Sequence, residues 1–419
     1  MPLKSRLAVA TTLAVLLVAC SPAPEAATPA AAQPAPAQPV AAKSLASTLG
    51  AIEVQQIAAG LDHPWSVALL PEGGFLVTER SGQLRHVGAD GAISAPYTGV
   101  PAVFAEGQGG LLDVVLAPDF ASSKRIFLSY AEAGDKGLAG TAVATAILGD
   151  GALTEVKRIY QQLPKLDGEA HFGSRLAFDG QGHIFISQGE RNHRPTSQEL
   201  DKLQGKLVRL NLDGSVPQDN PFVGQANARP EIWSYGHRNM QGLAFDPRTG
   251  TLWESEHGPR GGDELNHPQP GKNYGWPIIT YGINYSGLPI PEAQGQVKEG
   301  MEQPFHYWAK SPGLSGMAFY TGHADSPWNN SLFLGSLAES NLIRLSLDGD
   351  KIVGEERLLS ENSERVRDVR VAADGAIYVL TDEDNGKLLR IHPPKAPAAP
   401  AAPAAPSAPA APAPAQGQP

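Results

Sequence analysis

Residues 241–256 read QGLAFDPRTGTLWESE: a short apolar run, a turn-forming Asp-Pro-Arg-Thr-Gly, and a second run in which apolar and polar residues alternate. Two strand-length runs separated by Pro, Asp and Gly are a β-hairpin signal, because Pro presets one turn angle and Gly takes positive φ without steric cost. The same phrase returns at 65–79 (WSVALLPEGGFLVTE), 110–130 (GLLDVVLAPDFASSKRIFLSY) and 174–190 (SRLAFDGQGHIFISQGE). It recurs at 315–336 (SGMAFYTGHADSPWNNSLFLGS) and 366–383 (VRDVRVAADGAIYVLTDE). GQLRHVGADG, GKLVRLNLDGS and NLIRLSLDGD read as further strands that run into Asp-Gly turns. No long segment holds a helical period. The pattern predicts an all-β chain, a six-bladed β-propeller of four-stranded antiparallel blades, in which radial repetition leaves few open edges. A large sandwich is the rival arrangement, and repetition of one motif favours the propeller.

The two ends read differently. Lys4 and Arg6 precede an apolar run from Leu7 to Val18, followed by Leu-Val-Ala-Cys20, the order of an export signal. The run is shorter than the ~20 residues a membrane span needs. The final four residues resemble a bacterial lipobox, whose Cys is acylated; Cys20 is the single cysteine, so no intrachain disulfide can form. By the sorting rule of that family, Ser21 implies an outer-membrane lipoprotein facing the periplasm. The expected division is a signal at 1–20, a Pro/Ala spacer at 21–47, a propeller at 48–393 and a Pro/Ala tail at 394–419, the Pro/Ala tracts being semi-rigid and lacking bulk to bury. The formal net charge of −10, with no basic cluster, argues against a nucleic-acid partner. The length by itself leaves the oligomeric state open.

In a hairpin, residues before the first strand and after the second lie at one end. If all six hairpins are innermost, those segments meet at one mouth of the central channel. They supply Asp62, His63, Glu79 and Arg80; Gln108; His171 and Glu190; Arg238, Asn239 and GPRGGDE (258–264); Tyr307, Trp308 and Lys310; Arg365 and Arg367. The opposite turns are plain. His171 is the candidate general base, being the side chain most readily poised near neutral pH, and Glu190 would hold one ring nitrogen. Arg238, Arg365 and Arg367 suit an anionic ligand, because guanidinium forks match carboxylates. The Gly-rich loop with Asp263 and Glu264 offers the oxygen-only ligands of calcium chemistry. Each feature has a plainer reading as a loop histidine, paired arginines or a solvated turn.

GHRNMQGLAF (236–245), SEHGPRGGDELN (255–266), GKNYGWP (271–277) and SERVRDVRVAADG (363–375), with EGQGGLLDVVLAPDF (106–120) and AHFGSRLAF (170–178), resemble the soluble glucose/sorbosone dehydrogenases. That family consists of propeller enzymes using pyrroloquinoline quinone (PQQ), and the likeness is nearest its periplasmic aldose dehydrogenase branch. The resemblance implies oxidation of a cyclic aldose at C1, His171 taking the hydroxyl proton while hydride passes to PQQ. It implies that Arg238 stabilises charge on the quinone, and that Gln108, Asn239, Arg365 and Arg367 contact PQQ. It further implies that Gly258 and Pro259 hold a Ca²⁺ at the cofactor, and that Asp263, Glu264 and Tyr274 bind structural calcium. Electrons would leave to a quinone or a soluble acceptor. Two positions depart from the family: Ala338 stands where a Lys is common, which Lys310 would have to replace, and Ala170 stands where some relatives are polar. A calcium-dependent lactonase and a non-catalytic binding propeller are the alternatives.

Overall fold

The computed structural model describes residues 42–323, 325–349 and 351–394. The signal, Cys20, residues 21–41 of the spacer and the tail from 395 lie outside these residues. No helix among the described residues is long and apolar enough to cross a membrane.

Each predicted hairpin begins a sheet. The innermost strands are Pro64–Leu69, Leu111–Leu116, Gly173–Phe178, Met240–Phe245, Leu314–Phe319 and Val366–Val371. Each packs on the innermost strand of the next blade until the ring closes, which defines a six-bladed propeller. These strands are buried over most of their length, so they read as apolar runs where outer strands alternate.

Four sheets have the expected four strands, and two depart from it. The last sheet has five: Ile52–Leu61 pairs with Gly386–His392, so the N-terminal end of the domain closes the ring on the C-terminal blade. Lys43–Leu45 then adds an outer strand, which ends the spacer before the expected residue 47. The first sheet keeps three strands, with only a single bridge from Val87 to Ile93 beyond them.

All six inner strands are irregular near their starts, with register shifts at Pro64/Ser66, Leu111/Val114, Gly173/Leu176, Met240/Gly242, Leu314/Met317 and Val366/Asp368. A bulge leaves a backbone group without its ladder partner and re-aims the side chain. In three blades a second-strand hydroxyl fills the gap. The N–H groups of Ser66, Asp113 and Arg175 donate to Thr78 Oγ1, Ser129 Oγ and Ser187 Oγ at 3.0, 2.9 and 2.8 Å. Those hydroxyls donate onward to carbonyls of the next inner strand, at Leu112, Ser174 and Met240. In the fifth blade the facing residue is Gly335, and Ser315 supplies the hydroxyl from the inner strand, to Val366 O at 2.7 Å. A Cβ on Gly335 would lie 2.2 Å from Ser315 Oγ.

The bulges also build a plug in the channel. Arg175 Nη1 lies 2.9 Å from Asp368 and 3.4 Å from Asp113, and Arg370 joins the same carboxylates at 2.8 and 3.1 Å. Arg175 stacks on Trp65 at 4.0 Å. Gly316 makes room for this crossing, since a Cβ there would meet Asp368 Oδ1 at 2.3 Å. On one side lies a cavity of about 300 Å³ lined by Asp113, Arg175 and Arg370. On the other is a cavity of about 890 Å³, at the mouth where the polar hairpin ends gather.

Candidate active site

Antiparallel pairing of Gly173 with Gln188 brings the entry and exit of the third hairpin together. His171 Nδ1 lies 2.5 Å from Glu190 Oε2, and both residues are buried. Burial pushes the imidazole pKa down, Glu190 opposes this, and Arg238 and Arg191 reinforce it; the net shift is downward. Burial alone would raise Glu190, but the imidazole and Arg238 outweigh it and hold the carboxyl below its ordinary value. An ionised Glu190 therefore accepts from Nδ1–H and leaves Nε2 as the basic nitrogen. His171 is in the left-handed region at φ 56°, and its N–H donates to Gln108 Oε1 at 2.9 Å. Left-handed non-glycine residues persist where the surroundings over-determine them, as active sites do.

Gln108, Phe172 and Gly173 line the large cavity beside this pair. Arg80, Arg260, Lys310, Arg365 and Arg367 also line it, and Asp382 is the one carboxylate among the lining residues. Asp382 bonds Arg367 and lies 3.5 Å from Arg365 and 3.1 Å from His63. Burial would raise its pKa, but Arg367 foremost drives it far below the carboxylate range. Sequence reasoning missed Asp382, although a signal existed: Glu79, Glu190, Glu256 and Asp382 all stand at the ends of second strands. The exposed lip of Ile283 and Tyr285 falls within the loop region 266–312, whose irregular course local sequence pattern does not specify. Ala338 lines the cavity, and the exposed amine of Lys310, expected to stand in for a lysine there, turns to Glu339 at 3.3 Å.

Arg238 and Asn239, expected to contact a cofactor, stand behind the lining. Arg238 Nη1 donates to His257 O at 3.1 Å, while its buried Nε has no partner among the described residues. Asn239 Oδ1 accepts from Gly173 N–H at 3.2 Å and ties two hairpins together.

The metal expectations divide. Gly258 and Pro259 line the cavity, and neither carbonyl accepts a hydrogen bond among the described residues, which suits a cation. Asp263 does not keep a free side-chain oxygen. Its carboxylate accepts from Gly258, Gly313 and Leu314 N–H and from Ser311 Oγ, so it anchors loops. Tyr274 is likewise committed: its hydroxyl donates to His267 O at 2.5 Å and accepts Gln269 N–H at 3.0 Å. Glu264 instead joins a buried group in the fourth blade, where ligand atoms of His237, Glu254 and Glu256 lie within 4.8 Å of one another. Glu254 Oε2 and Asn266 Oδ1 there are buried without a hydrogen-bond partner. Burial and the Glu256 charge push Glu254 and Glu264 well above the usual carboxyl range. The carboxylate and amide oxygens of this group suit a cation, and the His237 nitrogen is a softer ligand than the oxygen-only sets typical of Ca²⁺.

The glucose/sorbosone dehydrogenase family model matches residues 61–390. Aldose sugar dehydrogenase YliI of Escherichia coli (strain K12) is 54% identical over 345 residues, which are 82% of this chain and 93% of that protein. A crystal structure of a glucose dehydrogenase is 62% identical with a TM-score of 0.79, covering 80% of this chain and 98% of the other. The PQQ-bound aldose sugar dehydrogenase of Streptomyces coelicolor is 27% identical with a TM-score of 0.68, covering 82% of this chain and 98% of its own. The chain belongs to the glucose/sorbosone dehydrogenase family of oxidoreductases.

Proposed function

We propose that the protein oxidises aldose sugars at C1 to lactones with PQQ as cofactor. The observation that carries this reading is the buried His171–Glu190 pair beside a cavity whose cations outnumber its single carboxylate. PQQ is a planar tricarboxylate, and Arg80, Arg365 and Arg367 would hold its carboxylates, with Gln108 and Lys310 at the edges. Gly258 and Pro259 carbonyls would hold a Ca²⁺ beside it, and His237, Glu254, Glu256 and Glu264 a second, structural cation. When bound, PQQ supplies the quinone that accepts hydride from the sugar. The chain's own part is to move a proton and place charge. Glu190 fixes the imidazole tautomer, burial keeps it neutral, and Nε2 takes the C1 hydroxyl proton. Arg238, behind the wall, contributes fixed positive potential. The PQQ-bound relative supports the cofactor, and the aldose dehydrogenase relative supports the substrate class. A lactonase of this architecture would need side-chain carboxylates gathered around a cation in the cavity, whereas the carboxylate group lies in the fourth blade outside the lining.

Dye reduction by the purified protein, supplied with PQQ, Ca²⁺ and a panel of aldoses, tests the reading. Sugar-dependent turnover that falls by ~10²–10⁴-fold in His171→Ala is expected. Failure to bind PQQ would overturn it. Export and lipid attachment at Cys20, on the periplasmic face of the outer membrane, belong to the same proposal, supported by the order of residues 1–21. Cells fed labelled palmitate should label the parent and not Cys20→Ser; an unlabelled parent would refute the anchor.

A further inference from the structure

The residue after Glu190 has no part in the mechanism above, yet it is the largest charged side chain fully buried near the base. Arg191 is 0% exposed. Its Nη1 and Nη2 donate to the carbonyls of Ala170 and Gly168, the main chain leading into His171. Its backbone N–H donates to His171 O at 3.3 Å. Its guanidinium lies 3.5 Å over the ring of Phe172, which lines the cavity. A buried guanidinium is costly to desolvate, and these partners are carbonyls and a ring face, so stability alone is a weak reason to keep it.

The surrounding backbone shows what the residue does. His171, Ser174, Arg191 and Asn192 all have positive φ, at 56°, 87°, 59° and 60°. Such backbone is strained for residues other than glycine and must be held by its neighbours. Gln108 holds the His171 N–H from the second blade. Gly189 packs so closely that a Cβ would lie 2.0 Å from His171 O. Glu190 takes the imidazole and Arg191 takes the peptide that carries it. A planar fork reaches two carbonyls at once, which a lysine ammonium on a flexible stem does not reproduce.

We propose that Arg191 is a positioning residue for the base: its fork on Gly168 and Ala170, with its stack on Phe172, sets the place of His171 relative to the cavity wall. The inference rests on the dehydrogenase reading for its kinetic arm and on the chain alone for its spectroscopic arm. Arg191→Lys and Arg191→Gln are to be compared with the parent in kcat, KM, PQQ binding to the apo-protein, and NMR titration of His171 without cofactor. Misplacement of a base by about 1 Å can cost on the order of 10²-fold, so kcat should fall roughly 10- to 100-fold in both variants. KM and PQQ affinity should stay within about threefold, the split expected when ground-state binding is untouched. Removing the cation in Arg191→Gln should move the His171 midpoint upward, since Arg191 depresses it. Arg191→Lys should leave that midpoint near the parent's while still losing kcat. Retention of kcat within about twofold in both variants, or a loss matched by lost PQQ binding, would overturn the proposal. If the parent shows no sugar turnover, the dehydrogenase reading falls instead, and unchanged His171 ring chemical shifts in both variants overturn the positioning role by themselves.

Discussion

At His171 one carboxylate does two things: it keeps the imidazole in one tautomer, and it raises a basicity that burial lowers. Glu190→Gln should therefore lower kcat by about 10²-fold, the lower range for general-base catalysis, and move the acidic limb of the kcat/KM profile to lower pH. The depressed pKa also has a stability consequence. The unfolded chain protonates histidine near ~6.5, and folded His171 protonates below that. Its contribution to stability is thus full above about pH 6.5 and is lost as pH falls toward the folded value. Denaturant unfolding between neutral and mildly acidic pH should lose this slope in His171→Ala.

At the scale of the strand, the bulge and a second-strand hydroxyl tie the first three hairpins each to the next blade. Ser129→Ala removes the acceptor for Asp113 N–H and the donor to Ser174 O in one step. It should cost about 1–3 kcal/mol by leaving buried backbone groups unpaired, measurable as a lower denaturation midpoint at constant m-value. The fourth blade makes a separate claim. If His237, Glu254 and Glu256 hold a cation, Ca²⁺ should raise the melting temperature of the apo-protein in a concentration-dependent way. In Glu254→Gln that part of the rise should vanish, while any Ca²⁺-enhanced PQQ binding through Gly258 and Pro259 persists.

Across the whole molecule, the ring is joined at two places distant in sequence: the pairing of Ile52–Leu61 with Gly386–His392, and the plug of Asp113, Arg175, Asp368 and Arg370. Arg175 spans the channel from the third blade to the sixth. Arg175→Met should cost about 3–5 kcal/mol, because it strands buried carboxylates that Arg370 alone must answer. A thermal melt reads the loss directly.

Much of this was legible beforehand. Local turn chemistry and apolar runs specify a hairpin within some twenty residues, so the strands, their order, the pairing of His171 with Glu190 and the placing of Arg365 and Arg367 at the mouth follow from the chain by itself. Antiparallel geometry alone puts the two ends of each hairpin together. What only the tertiary structure decided are pairings across long separations: residues 52–61 completing the last blade, Asp382 steadying the arginines, and Asp263 turned to loop donors. Glu254, Glu256 and His237 drawn into one buried group, and Arg191 folded back on Gly168 and Ala170, belong with them. The physical reason is that a side chain's partner is set by register, bulge and burial. These exist only once the blades have packed, whereas the hairpins need nothing beyond their own residues.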